Sequence, residues 1–154
     1  EMTVMACTGG LSREALYYGQ QAALLSELKT SDVKYMAMET AKKEIQERKE
    51  KLSGLGKYDH QRYYLEEEIN NFCDLFLMIS LSLAETESGV KFYFRNSIEP
   101  RKEIILYRAL WVADIIGDDE VWKEIYKYGL SKKIKPRDEL IRKYQEKING
   151  KDEP

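Results

Sequence analysis

Apolar residues recur at three- and four-residue intervals along much of this chain, and glycine, proline and small polar residues interrupt the pattern at regular distances. Leu11, Ala15, Tyr18, Ala22, Leu25 and Leu28 share a helical stripe behind a capping Ser12, which predicts a first helix over 12–29. Ser31 caps a second predicted helix through Leu52, with Met38, Ala41, Ile45 and Leu52 on one face. Gly54 and Gly56 end it, because glycine accepts the left-handed position beyond a helix terminus.

A third helix is predicted from Asp59 to about Glu87. It begins amphipathic and becomes apolar on nearly every side through Phe72, Cys73, Leu75, Phe76, Leu77, Met78, Ile79, Leu81 and Leu83. A helix of that kind needs other helices around it, so it is the predicted centre of the fold. Gly89 closes it, and Val90–Phe94 reads as a short extended piece, too isolated to found a sheet. Ser97 and Pro100 start a fourth helix that runs to Gly117. Asp118 and Asp119 cap a fifth, ending at Gly129. Pro136, with Asp138 and Glu139 in the first turn against the positive end of the dipole, opens a sixth that stops at Asn149–Gly150. The expectation is an all-α fold: a helical bundle of about five to six helices around a central apolar helix. It forms one domain over residues 1–154, with 1–10 and 151–154 as flexible ends.

Composition agrees with a packed domain. Charged residues make up 34% of the 154 and hydrophobic ones 43%, enough for a real core. The net charge of −2 points to neither nucleic acid nor a membrane as a bulk partner. The longest apolar run, Phe72 to Ala84, is too short to span a bilayer and contains Asp74, Ser80 and Ser82. The opening EMTVMACTGG lacks the basic segment of a signal peptide. Cys7 and Cys73 make no disulfide framework, so the expected location is cytoplasmic.

Candidate chemistry concentrates on the central helix. Glu66, Glu67 and Glu68 precede Asn71 and Asp74, and Glu67, Asn71 and Asp74 share a helical face. Asp74 lies among apolar residues, where a carboxylate needs a cation, a metal or hydrogen-bond donors. Arg108, similarly placed in the fourth helix, is a candidate partner.

The stretch LEEEINNFCDLFLMISLSLAE, Leu65 to Glu85, resembles the second metal-binding helix of the all-α NTP pyrophosphatases, the MazG-like family. Upstream, Glu44-Ile45-Gln46-Glu47 matches that family's ExxE on the preceding helix. The resemblance implies that Glu44, Glu47 and Glu68 help ligate Mg²⁺, which would assist hydrolysis of a nucleoside triphosphate. Asn71 stands where the family has aspartate, and Asp74 lies one turn further along as a possible substitute. By helical phase Glu47 lies roughly opposite the apolar stripe of its helix, with Glu44 at the border.

From Val121 to Lys151 ten Lys and Arg face four acids, with the densest run at SKKIKPR. Lys132, Lys133, Lys135 and Arg137 are the candidate phosphate contacts, against the alternative of a solvated face. No helix-turn-helix, RRM or zinc pattern points to sequence-specific nucleic-acid reading. His60 stands without another His, and without a Cys beside it, so a zinc site is not expected. The eleven tyrosines read chiefly as half-buried packing residues, although the doublets Tyr17–Tyr18 and Tyr63–Tyr64 suit base stacking or a homodimer contact. Two readings follow. One is a nucleotide-handling protein resembling Mg²⁺-dependent pyrophosphatases. The other is a non-enzymatic helical interaction or oligomerisation module, in which Asp74 and Arg108 form a structural pair.

Overall fold

The computed structural model describes residues 30–135 and 137–149, together with Gln20, Ala23, Leu25 and Ser26. The predicted first helix, Cys7, the Tyr17–Tyr18 doublet, Pro136 and the two chain ends lie outside the described residues, wholly or in large part. Six helices make up the rest: α1 Ser31–Ser53, α2 Gln61–Ser82, α3 Thr86–Asn96, α4 Lys102–Ile116, α5 Asp119–Ser131 and α6 Asp138–Asn149. No strand occurs among the described residues, and the fold is all-α. None of these helices is long and apolar enough to cross a membrane.

The central helix is α2. It packs against α1, α3 and α4, while α5 bridges α3 and α4 and carries α6. Its residues Phe76 through Leu81 are all buried, so every face of that stretch meets another helix. The buried residues of α1 are Met38, Ala41, Ile45 and Leu52, the stripe that helical spacing predicts. Caps follow elementary hydrogen-bond logic. Thr30, one residue ahead of the predicted Ser31, accepts from the Val33 N–H at 3.2 Å. Asp59 Oδ1 accepts from the Gln61 N–H at 2.9 Å, and Asp118 Oδ1 accepts from Glu120 and Val121. Gly54 ends α1 with φ −90°, so the left-handed conformation expected there is not used.

The largest departure from the sequence reading lies at 83–94. The central helix stops at Ser82 rather than near Glu87, and Val90–Phe94 is helical, not extended. The stop is a Schellman turn: Glu85 N–H reaches Ser80 O at 2.8 Å and Ala84 N–H reaches Leu81 O at 3.1 Å. Ala84, with φ 63°, takes the left-handed position that glycine usually fills. Gly89 has a different task inside α3. A Cβ there would lie 2.5 Å from the Cβ and Oγ of Ser80, so the missing side chain lets α3 approach α2. Gly129 likewise does not end α5. It packs on Leu106, whose methyls would meet a Cβ at 2.7 Å and 2.9 Å.

Candidate functional site

The residues expected to hold Mg²⁺ go to four places. Glu44 of α1 and Glu68 of α2 do converge, but on a cation from the chain itself. Arg48 Nη1 donates to the Glu44 carboxylate, and Arg48 Nε donates to Glu68 Oε1 at 2.8 Å. The guanidinium also covers the Phe72 ring, 4.8 Å from its centroid. Burial works against the charge of Arg48, yet the bonds to Glu44 and Glu68 leave its pKa above the ordinary value. Glu47 is exposed on α1. Asp74 is fully buried and accepts from Arg108 Nη2 at 2.7 Å. Asn71, with Glu67, lines a cleft.

Among the described residues no group of three or more His, Cys, Asp or Glu is arranged to hold a metal ion. The Glu44–Glu68 pair, the one place among the described residues where expected ligands meet across helices, is already bridged by Arg48. In this arrangement the residues do not fit a bound Mg²⁺.

The cleft has a volume of about 1340 Å³ and opens between α2, the 97–101 connection, α4 and α6. Its α2 wall carries Tyr63, Glu66, Glu67, Asn70 and Asn71. Asn70 fixes the floor: its Oδ1 accepts from the Ser97 hydroxyl at 3.0 Å and the Ile98 N–H at 2.8 Å, tying the connection to the central helix. The opposite wall carries Tyr107, Arg108, Trp111 and Asp114 from α4, and Trp122 from α5. Arg137, Glu139, Leu140, Arg142, Lys143 and Glu146 complete it. The lining cations all stand on the α4–α6 side, interspersed with Asp114, Glu139 and Glu146 and across from the amides and acids of α2.

Helix α6 is fastened to that wall by charge and stacking. Lys143 donates to Asp114 Oδ2, and Lys147 donates to Asp119 Oδ1 at 2.6 Å while lying 3.7 Å from Asp114. Burial would lower the Lys147 pKa, but its bond to Asp119 and the charges of Asp114 and Asp119 raise it. Tyr144 stacks on Tyr126 with centroids 4.3 Å apart, and Trp122 stacks on both. Burial raises the Tyr107 pKa, and the Arg137 guanidinium, which works against that rise, lies 5.1 Å from the ring centroid.

Of the four expected phosphate contacts, Arg137 reaches the cleft. Lys132 caps α5 with its ammonium 5.4 Å from the Tyr128 ring centroid. Lys133 takes the left-handed turn position, φ 61°, of a second Schellman turn closed by Ile134 N–H on Gly129 O at 3.1 Å. Lys135 is exposed beyond it. Sequence reasoning missed Trp111, Trp122, Arg142 and Lys143 as cleft residues. The only linear signal was a basic, aromatic α6 that continues past Arg137. His60 is exposed at the start of α2 without a side-chain capping bond, in keeping with a surface role. Tyr63 and Tyr64 are exposed, edge to face.

No family model, curated protein or solved structure matches the chain.

Proposed function

We propose that this chain handles a nucleotide, in the cytoplasm, by binding it in the cleft between α2, α4 and α6. One observation carries the reading: a single concavity combines aromatic rings, Tyr107 and Trp111, with the cations Arg137, Arg142 and Lys143 and, opposite them, with Asn71 and Glu67. Rings suit a base, guanidinium and ammonium groups suit phosphates, and amide or carboxylate groups suit the edge of a base. The likeness of Leu65–Glu85 to the NTP pyrophosphatases supports the same ligand class.

Mg²⁺-dependent hydrolysis, the activity implied by that likeness, requires Glu44 and Glu68 to release Arg48 first. Binding is therefore the proposed activity. Calorimetric titration with each common ribo- and deoxyribonucleoside triphosphate, with and without Mg²⁺, tests it, and pyrophosphate release is followed in the same samples. Saturable binding to at least one nucleotide is expected. A chain that binds none at millimolar concentration has some other function. The alternative, a non-enzymatic interaction or oligomerisation module, is favoured by the Asp74–Arg108 pair, which gives the buried acid a structural purpose. It predicts a stable homodimer or larger assembly by sedimentation, with no nucleotide bound.

A further inference from the structure

Trp122 is the most completely buried of the large side chains facing the cleft, at 1% exposure. Its indole Nε1–H meets no acceptor among the described residues. A buried indole normally finds a hydrogen-bond partner, and a donor left without one costs stability for as long as the protein is folded. Neighbouring groups do not remove the deficit. Tyr126 and Tyr144 lie nearly parallel to the indole, at 18° and 21° to its plane, and stack on each other, so their rings offer the N–H no in-plane acceptor. Lys143 and Lys147 lie over the ring at 5.9 Å and 5.4 Å, and an ammonium group is itself only a donor. The acceptor has to arrive in the plane of the ring, at its nitrogen edge.

We infer that the Trp122 Nε1–H is a binding group for a phosphoryl oxygen of the cleft ligand, with Lys143 and Arg142 supplying the countercharge. The oxygen fits on three grounds. The vacant group is a donor, so the ligand atom is an acceptor. The cleft residues Arg142 and Lys143 are cationic and can hold an anionic acceptor, in competition with Asp114, Glu139 and Glu146 of the same wall. Lys143 is bonded to Asp114 with its side chain 44% exposed, so it can turn from that carboxylate towards an entering phosphate. The orphaned donor is then a stability cost kept for binding, as expected where a local rule is broken at a functional site.

This inference rests on the nucleotide reading, and its test separates the two. The 154-residue chain is titrated by calorimetry with ATP, adenosine and inorganic tripolyphosphate. The same titrations follow on Trp122→Phe and on a chain carrying 3-benzothienylalanine at position 122. The latter keeps the fused ring and its stacking and removes only the N–H donor. Loss of a hydrogen bond to a charged group should weaken ATP and tripolyphosphate binding about tenfold or more, leaving adenosine unchanged. Thermal unfolding of the benzothienyl chain should occur at the same temperature or higher, because an unsatisfied donor has gone. Equal ATP affinity in the wild-type and benzothienyl chains overturns the inference and leaves nucleotide binding intact. Loss of adenosine affinity together with that of ATP overturns it too, because the indole then serves the base or the fold. If wild-type protein binds tripolyphosphate but no nucleoside or nucleotide, the nucleotide reading fails. The Trp122 site then stands or falls on the tripolyphosphate arm alone.

Discussion

Replacing Arg108 by methionine is the sharpest perturbation available in this fold. Asp74 has no exposed surface, and its Oδ2 sits 2.7 Å from Arg108 Nη2. The surroundings are unfavourable to charge. The thiol of the adjacent Cys73 is pushed up to about 12, first by burial and then by the negative charge of Asp74. Removing the cation leaves a carboxylate without its principal countercharge in that environment. Breaking a buried pair from one side costs about 3–5 kcal/mol. For a domain of this size each kcal/mol corresponds to about 2–4 °C in melting temperature, so Arg108→Met should melt on the order of 10 °C lower. Replacing both partners with apolar residues, Asp74→Leu with Arg108→Met, should recover most of the loss, since a well-packed apolar pair avoids the desolvation cost. Urea unfolding followed by circular dichroism measures both, with a constant denaturant slope confirming that the midpoint reports stability. If Arg108→Met stays within about 1 kcal/mol of wild type, the pair does not hold the centre of this fold and the reasoning fails.

Three further outcomes follow from the packing. Gly89→Ala should lower stability by about 1–2 kcal/mol. The new Cβ meets the Ser80 Cβ, which cannot rotate away, and this outweighs the gain of about 1 kcal/mol in helix propensity. A Gly89→Ala chain more stable than wild type contradicts the close approach of α3 to α2. Ala84→Gly should raise stability by about 0.5–1 kcal/mol, because glycine relieves the left-handed strain at φ 63° but loses more backbone entropy; equilibrium urea melts decide it. Cys73 should resist iodoacetamide at pH 8 in the folded protein and react once urea unfolds it. Its folded pKa, about 12, lies above the ordinary thiol value of 9.0, so the folded state holds the proton that the unfolded state gives up between those values. Stability should therefore fall as pH rises from about 9 towards 12. A Cys73→Ala chain with the same alkaline slope would assign the loss to another group.

The chain order alone determined what depends on local periodicity. The α1 stripe of Met38, Ala41, Ile45 and Leu52 and the all-round burial of α2 from Phe76 to Leu81 follow from 3.6-residue spacing. The Asp74–Arg108 pair was also legible, because an acid and a base each embedded in an apolar helix have few other ways to be satisfied. Tertiary structure decided the rest. Glycine either ends a helix or lets another helix come close. Only the presence of Ser80 against Gly89, and of Leu106 against Gly129, distinguishes the second use from the first. The fate of Glu44 and Glu68 rested on how α1 is turned against α2, which brings Arg48 rather than open space between the two carboxylates. The cleft joins Asn71, Tyr107, Trp122 and Lys143, residues from four helices whose juxtaposition no spacing along the chain encodes. The vacant indole donor is visible only because burial and hydrogen-bond partners belong to the folded chain, not to its order of residues.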